Sequence, residues 1–185
     1  LKRNDPRDCY IGKFFPGAKV GTGSPRRLEQ LTLINEHLDV KGIRGNIATR
    51  IKKLEEGKYD AIVLARAGLE LLGLEKMITH TFDFDHMLPA VGQGVIAIQT
   101  RTMSPYTALI RQINHLDTFY CVLAERTALK FLDGDCHSAV GILAQVTGDC
   151  ITLKAINYNN MKDCTVTGKI LDYKQIGEQV GLAIK

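Results

Sequence analysis

Two arginines stand at the predicted start of a helix, where a positive charge is unfavourable. The segment Val20–Arg27 reads Val-Gly-Thr-Gly-Ser-Pro-Arg-Arg and joins an apolar strand to a helix. Ser24 suits the N-cap position, and Pro25 suits the first helical position because it has no N–H to leave unpaired. Cations such as Arg26 and Arg27 cost roughly 0.3–1 kcal/mol each in a first turn. The pair therefore predicts a bound anion, since guanidinium groups grip carboxylates bidentately.

Two further arginines follow the next predicted strand. Arg44 lies in the segment Gly42–Asn46, where that strand ends, and Arg50 opens the following helix. The carboxyl ends of neighbouring parallel strands share one crevice, so we expect Arg44 and Arg50 to converge there with the first arginine pair. The alternative is that both pairs are solvated surface residues, the usual state of arginine in globular proteins.

The five cysteines form no recognisable disulfide or zinc pattern. Their number is odd and no C-x-x-C pair occurs, which favours a reducing compartment. By default each is a small buried apolar residue, but one of them needs a better explanation. The five are Cys9, Cys121, Cys136, Cys150 and Cys164. The five histidines show no metal-binding spacing, so we expect no metal site.

The first half of the chain alternates short apolar strands with amphipathic helices, which predicts an α/β unit with a parallel or mixed sheet. The predicted strands are Lys19–Thr22, Leu38–Ile43 and Ala61–Ala65, and the predicted helices are Pro25–Asn35 and Ile47–Glu56. Leu88–Gly94 is predicted as a loop, and Val95–Thr100 as a strand that follows it. Gln93 lies between two glycines there, which suits close approach of a ligand.

The second half changes character and predicts a small α+β unit. A helix is predicted over Thr118–Leu132, with Asp117 as its cap. Three strands joined by short turns follow, and they predict an antiparallel sheet before a last helix that carries Tyr173, Ile176, Val180 and Ile184. These strands are Val140–Thr147, Ile151–Tyr158 and Cys164–Ile170. We therefore predict an α/β domain at 1–94, a crossing segment at 95–115 and an α+β domain at 116–185.

Bulk composition narrows the class of protein without choosing a function. The chain has 185 residues, 45% hydrophobic and 24% charged, and a net charge of +4, which are ordinary values for a folded globular protein. No apolar run reaches the roughly 18 residues of a membrane helix, and no signal-peptide pattern opens the sequence. Because residue one is Leu1 rather than Met, we expect a fragment of a longer chain.

Nucleotide and nucleic-acid binding fit the sequence poorly. Arg26 stands where the dinucleotide fingerprint beginning at Gly21 needs its third glycine, and no phosphate-binding G-x-x-x-x-G-K-[ST] segment occurs. The basic residues of 41–58 are not interleaved with stacking aromatics, and the chain has no Trp. A nucleic-acid-binding protein is thus the weakest alternative, and it would show a steep salt dependence of DNA affinity.

Several ordered segments together resemble the porphobilinogen deaminase family over residues 3–158. They are Gly21–Arg27, Ile43–Arg50, Tyr59–Ala65, Leu88–Gly94, Ala124–Arg126 and Gly134–Cys136, with Asp5–Asp8 near the start. The resemblance implies the second and third domains of a cytoplasmic, monomeric transferase, with the α/β layout also found in periplasmic binding proteins. Such an enzyme deaminates porphobilinogen and joins four units into hydroxymethylbilane, in haem and other tetrapyrrole biosynthesis.

The resemblance also implies a covalent cofactor and its contacts. A dipyrromethane primer would be thioether-linked to Cys136, and no membrane or nucleic acid would take part. The positions that match cofactor and substrate contacts of the family are Thr22, Ser24, Arg26, Arg27, Arg44, Gly45, Arg50, Ala65 and Gln93. A soft sulfur nucleophile suits capture of the electrophilic pyrrole formed when ammonia leaves. The partners would be porphobilinogen and the growing pyrrole chain, whose carboxylates need several arginines.

Some positions depart from the family pattern. Gly23 and Pro25 replace Ser and Leu, Leu71 replaces a basic residue, and Asp135 replaces a glycine beside Cys136. The negative charge of Asp135 is expected to raise the pKa of the Cys136 thiol and slow cofactor attachment.

The region that corresponds to the family's first domain, with its catalytic aspartate, is not in this sequence. Asp60, Asp83 and Asp85 are interpreted as structural residues and do not take over that role. The alternatives are therefore an inactive fragment or a non-catalytic anion-binding module of the solute-binding type. A covalently modified Cys136 would exclude the binding module.

Overall fold

The structure, a computed structural model, describes residues 1–132 and 139–185. Within these ranges the chain forms one five-stranded mixed sheet with helices and one three-stranded antiparallel sheet with two helices. The predicted fold class, an α/β unit followed by a small α+β unit, is confirmed. The domain boundaries at 94 and 116 stay predictions.

The five-stranded sheet has the order β3-β2-β4-β1-β5. Its strands are β1 (Asp8–Gly12), β2 (Lys19–Gly21), β3 (Asp39–Lys41), β4 (Ala61–Ala65) and β5 (His80–Thr81). β2 runs parallel to both β3 and β4, whereas β1 runs antiparallel to β4 and β5. β1 was not predicted from the sequence. It lies between β4 and β5, and its antiparallel pairing makes the sheet mixed.

The alternation of side chains along β4 divides the core into two layers. Ile62 and Leu64 face one layer with Cys9 and Ile51, while Val63 faces the other. The helices of this unit are α1 (Pro25–Ile34), α2 (Ile47–Glu55) and α3 (Arg66–Leu71), and a single 3-10 turn covers Glu75–Met77. The central strand β4 reads Ala-Ile-Val-Leu-Ala, a continuous apolar run, as expected for a strand that is covered on both faces of its sheet.

The second unit packs two helices on one face of its sheet. The helices are α5 (Leu116–Phe131) and α6 (Tyr173–Ala183), and the strands are β6 (Val140–Thr147), β7 (Cys150–Asn157) and β8 (Lys162–Lys169). A further 3-10 turn covers Ile170–Asp172, before α6. The turn between β6 and β7 uses Gly148 at φ 59°, a backbone conformation that favours glycine. Ile142, Leu153 and Val180 belong to the core between sheet and helices.

Two local predictions were wrong. Val95–Thr100 is not a strand, and its side chains Ile96 and Ile98 are exposed. No described segment pairs with it, and an isolated strand has nothing to satisfy its backbone groups. The second error concerns α5, whose N-cap is His115 rather than Asp117. The His115 ring accepts a hydrogen bond from the Thr118 backbone N–H at 3.3 Å.

The segment between the two units contains one further short helix, α4 (Thr107–Gln112). In the part of the chain that the structure describes, no helix is both long and apolar enough to cross a membrane. Residues 1–132 and 139–185 also contain no group of three or more His, Cys, Asp or Glu side chains placed to hold a metal ion.

Candidate functional site

The junction between β2 and α1 is built as the sequence predicts. Ser24 is the N-cap of α1, and its hydroxyl accepts a hydrogen bond from the Arg27 backbone N–H at 3.4 Å. Pro25 opens the first turn, and the buried Thr22 accepts a hydrogen bond from the Ser24 backbone N–H at 3.2 Å. The first turn contains no acidic residue. The positive end of the helix dipole therefore has no carboxylate from α1 itself.

The charge of the arginine pair is met instead by a carboxylate from β1. Arg26 Nη1 donates to Asp8 Oδ2 at 2.7 Å, and Arg27 donates to Asp8 Oδ1 through Nε at 3.0 Å and Nη2 at 2.7 Å. Asp8 is 0% exposed, Arg26 is 3% exposed and Arg27 is 9% exposed. The two arginines are therefore not solvated surface residues, and one internal anion already partners both.

The buried cluster of Asp8, Arg26 and Arg27 carries more positive than negative charge. Burial by itself would raise the pKa of Asp8, but the charges of Arg27 and Arg26 outweigh burial and hold that pKa below its usual value. Burial also lowers the pKa of Arg26, although arginine stays protonated. With Asp8 ionised, two cations face one anion, so the cluster keeps a net charge of about +1 that favours binding of a further carboxylate.

The remaining guanidinium donors are only partly used. Arg26 Nη1 also donates to the Leu88 carbonyl at 2.5 Å, and Arg27 Nη1 donates to the Val63 carbonyl at 3.2 Å. Arg26 Nε is buried and has no hydrogen-bond partner among the described residues. A buried unpaired donor is costly, so it indicates either strain or a ligand group that the protein is built to receive. The donor set therefore fits a carboxylate-bearing cofactor.

Gln93 closes the cluster from the loop that the sequence analysis singled out. Its side-chain Nε2 donates to Asp8 Oδ1 at 2.9 Å and to the Pro6 carbonyl at 2.7 Å. Its Oε1 lies 3.4 Å from Arg26 Nη2. Gly94 has φ 81°, and a Cβ there would lie 2.7 Å from the Asn4 carbonyl oxygen. The glycine therefore permits a close backbone approach that brings the amide of Gln93 to Asp8.

The second predicted helix start lies beside the first. Gly45 has φ 118° and passes so close to Thr49 that a Cβ would lie 2.7 Å from its side chain. Arg50 Nε donates to the Gly45 carbonyl at 2.8 Å. Burial and then the positive charge of Arg27 lower the pKa of Arg50, so Arg50 adjoins the buried cluster. Arg44, in contrast, has an exposed side chain.

Ala65 lies directly beside Asp8 in the sheet. The two residues are Cα partners in the register of β1 with β4, at the end of β4 where α3 begins. The structure thus brings most of the predicted site residues together at one end of the sheet's strands. Arg26, Arg27 and Gln93 contact Asp8, and Arg50 lies beside Arg27. The adjoining backbone contains Thr22, Ser24, Gly45 and Ala65. Arg44 is the described member that the structure does not join to the buried cluster.

A second buried ion cluster was not predicted as part of the site. Glu125 of α5 is 0% exposed and accepts hydrogen bonds from Arg3 Nη1 at 2.5 Å and Nη2 at 3.3 Å. It also accepts from the backbone N–H groups of Gly92 at 2.7 Å and Ala144 at 2.9 Å. Arg3 Nε donates to the Gln93 carbonyl at 2.8 Å. Glu125 therefore ties the second unit to the loop that holds Gln93.

Sequence reasoning missed both buried carboxylates for one reason. Asp8 and Glu125 have partners far along the chain, 18 and 122 residues away in the cases of Arg26 and Arg3. One sequence signal was that each belongs to a motif of the family resemblance, Asp5–Asp8 or Ala124–Arg126, whose polar residues had no assigned role. A charged residue within an apolar periodic stretch indicates a buried ion pair, because isolated charges are almost never buried.

Cys136 lies outside the described residues, so its predicted role stays a prediction. The nearest described residues on either side are Leu132 and Ala139. The Ala139 carbonyl accepts a hydrogen bond from the Tyr158 backbone N–H at 2.9 Å, and the Ile142 backbone N–H donates to the Pro89 carbonyl at 3.0 Å. The chain that follows Cys136 therefore contacts the Leu88–Gly94 loop, which also contacts Arg26.

Two family models match the chain. Residues 1–108 match the model described as porphobilinogen deaminase, dipyromethane cofactor binding domain. Residues 119–185 match the model described as porphobilinogen deaminase, C-terminal domain. The predicted family resemblance is thereby confirmed, and the chain contains the family's cofactor-binding domain.

Curated relatives agree with the family models. A porphobilinogen deaminase from Clostridium botulinum is 39% identical over 190 residues, which cover 99% of this chain and 65% of that protein. A porphobilinogen deaminase from Acidithiobacillus ferrooxidans is 44% identical over 164 residues, covering 84% of this chain and 54% of that protein. The chain therefore spans less than two thirds of the length of these relatives.

Proposed function

Since this chain belongs to the porphobilinogen deaminase family, we propose that the whole protein deaminates porphobilinogen and joins four units into linear hydroxymethylbilane. The chain's own contribution is to hold the carboxylates of a dipyrromethane cofactor and of the growing pyrrole chain. The observation that carries this proposal is the buried arginine pair. Together with Asp8 the pair has a net positive charge, and Arg26 Nε has no hydrogen-bond partner among residues 1–132 and 139–185.

The arginine site suits a ligand with several carboxylates. Each pyrrole unit carries an acetate and a propionate, and Arg26 and Arg27 keep N–H donors that Asp8 does not use. Arg50 adds a third cation beside Arg27. Fixed guanidinium groups in a partly buried site orient such a ligand at little cost in reorganisation, because Asp8 and Gln93 already hold them in place.

Asp8 acts as a fixed anion and not as a proton donor. Its pKa is held below the usual value, so it stays ionised at neutral pH. Its carboxylate oxygens already accept from both arginines and Gln93. The role we assign to Asp8 is therefore to orient the two guanidinium groups and to offset part of their repulsion.

We place the covalent attachment of the cofactor at Cys136. Among the other cysteines, Cys9 and Cys121 are buried, and burial raises their pKa to about 12 and about 11, so both are poor nucleophiles. Cys150 begins β7 and Cys164 lies within β8, on the sheet of the second unit. When bound, the dipyrromethane group would supply the primer on which the pyrrole chain is built.

Most of the remaining predicted site residues adjoin the arginine pair. Thr22, Ser24, Gly45 and Ala65 would line the ligand through backbone and small side chains, and Arg44 would reach it from its exposed position. Haem and other tetrapyrrole biosynthesis, a cytoplasmic location and a monomeric state stay predictions. A non-catalytic anion-binding module remains the rival, and covalent chemistry at a thiol separates the two.

Intact-mass measurement of the full-length, natively folded protein tests the proposal. We expect a mass increase equal to two pyrrole units on the wild-type protein and on the matched control Cys150→Ser. We expect the unmodified mass for Cys136→Ser, together with loss of porphobilinogen consumption. An unmodified wild-type protein, or a modification that survives Cys136→Ser, would contradict the attachment. Anion binding without any consumption of porphobilinogen would favour the rival.

A further inference from the structure

A buried tyrosine of the second unit reaches under the arginine site. Tyr158 follows β7, is 8% exposed, and donates its hydroxyl hydrogen to Gln30 Oε1 at 2.7 Å. Gln30 lies in α1, one helical turn after Arg26, and is 1% exposed. This hydrogen bond joins residues 128 positions apart and links the two units beneath the arginine pair.

The amide of Gln30 uses its full hydrogen-bonding capacity in this arrangement. Its Oε1 accepts from Tyr158 and from the Leu88 backbone N–H at 2.6 Å. Its Nε2 donates to the Leu88 carbonyl at 3.1 Å and to the Arg26 carbonyl at 3.2 Å. The Leu88 N–H and carbonyl fix which end of the amide is which, so the Tyr158 hydroxyl must be the donor.

The Leu88 carbonyl is a hydrogen-bond acceptor shared by Gln30 and the arginine pair. It accepts from Gln30 and also from Arg26 Nη1 at 2.5 Å. The same turn is pressed against β6, because a Cβ on Gly141 would lie 2.6 Å from Leu88 Cβ. Leu88 thus contacts both the second unit and Arg26.

We propose that Tyr158 is a positioning residue that keeps Arg26 in register with Ala139, where the described part of the second unit's sheet segment begins. The Tyr158 backbone N–H holds the Ala139 carbonyl, three residues after Cys136, while its hydroxyl holds Gln30 and so Leu88 and Arg26. One residue thereby couples Ala139 of the second unit to the arginine pair of the first. This inference rests on the proposed function, in which Arg26 binds the ligand's carboxylates.

The chemistry of Tyr158 suits a fixed donor. Burial raises its pKa to about 12, so the hydroxyl keeps its proton at any physiological pH. The substitution Tyr158→Phe removes this one hydroxyl and changes little else in shape. A matched control is Ile151→Val at the opposite end of β7, a 0% exposed residue of the core between the sheet and its helices. Each change removes one small buried group, so the two variants are expected to lose similar amounts of stability.

Two measurements on the full-length protein test the assignment. The first is the rate of hydrogen exchange of the Leu88 backbone amide, measured without substrate. We expect Tyr158→Phe to accelerate this exchange about 2- to 12-fold more than Ile151→Val does, because that factor corresponds to the loss of one hydrogen bond. The second is kcat/KM for porphobilinogen, which we expect to fall by a similar factor in Tyr158→Phe only. In a Gln30→Met background the additional effect of Tyr158→Phe should vanish, because the connection to Leu88 is already lost.

The outcomes separate this inference from the proposed function. Equal Leu88 exchange in the two variants, or a kcat/KM of Tyr158→Phe no lower than that of Ile151→Val, overturns the positioning role. If the wild-type protein does not consume porphobilinogen, the proposed function is wrong, and so is the effect of Tyr158 on catalysis. The comparison of Leu88 exchange rates still shows whether Tyr158 holds Leu88 in place.

Discussion

The two buried ion clusters described above, at Asp8 and at Glu125, are similarly buried but differ in their balance of positive and negative charge. At Glu125, one carboxylate meets one guanidinium and two backbone N–H groups, so charge and hydrogen bonds are both satisfied. At Asp8, one carboxylate meets two guanidinium groups, and Arg26 Nε has no partner among the described residues. The balanced cluster joins two parts of the fold, whereas the unbalanced one keeps an excess positive charge, which is the basis of the anion site that we propose.

Removal of each carboxylate should give the largest effects and separate the two clusters. Asp8→Ala and Glu125→Ala should each lower the free energy of unfolding by about 3–5 kcal/mol, because each leaves buried positive charge without compensation. Sodium acetate, compared with sodium chloride, should restore more stability to Asp8→Ala, where two guanidinium groups remain. Urea denaturation of the full-length variants measures both quantities. Equal restoration in the two variants would remove the distinction between the clusters.

The pH dependence of stability should trace to Asp8 and not to Glu125. The pKa of Asp8 is lowered in the folded protein, so its contribution is present at neutral pH and is lost as the pH falls below the unfolded value of about 3.9. Burial raises the pKa of Glu125 despite the opposing charge of Arg3, so protonation of Glu125 does not drive acid unfolding. Asp8→Asn should therefore flatten the loss of stability below about pH 4, while Glu125→Gln keeps that loss.

Urea denaturation at a series of pH values checks this expectation. Wild-type protein provides the reference dependence of the free energy of unfolding on pH. Both amide variants preserve the shape of the side chain that they replace. If the loss of stability at low pH is unchanged in Asp8→Asn, or disappears in Glu125→Gln, Asp8 is not the carboxylate that causes it.

The smallest effect on stability should come from Arg50, at the edge of the unbalanced cluster. Arg50→Gln removes a half-buried cation that adjoins Arg27, so KM for porphobilinogen should rise about 3- to 10-fold. The free energy of unfolding should change by less than about 0.5 kcal/mol. The control Arg111→Gln removes an equal charge from α4, and steady-state kinetics compare the two. A rise in KM that Arg111→Gln matches would indicate a general effect of net charge.

Local features of the fold were predictable because their hydrogen bonds join residues close in sequence. Ser24 caps α1 through a backbone N–H three residues later, and Gly148 turns the chain between β6 and β7. The Val95–Thr100 strand failed for the opposite reason. An apolar run predicts that a segment can form a strand, but the ladder requires a partner that the segment itself does not specify.

The candidate site was predictable only in part. Two charges in the first turn of a helix indicated an anion near Arg26 and Arg27, because that local rule holds in any fold. The identity of the buried anion was not predictable, since Asp8 comes from a strand that the sequence analysis did not recognise. The glycines that flank Gln93 predicted a loop that a ligand can approach closely. The contact of Gln93 with Asp8 was not predictable from the sequence.

The sequence by itself therefore determined the α/β and α+β classes, the capped helix start and the predicted need of Arg26 and Arg27 for an anion. Only the tertiary structure decided that Asp8 supplies that anion, that Glu125 holds the Gln93 loop, and that Tyr158 reaches Gln30. The physical reason is distance along the chain. Caps and turns are closed by neighbours whose spacing the sequence displays, whereas buried charge and hydrogen-bond partners are chosen by strand order and packing.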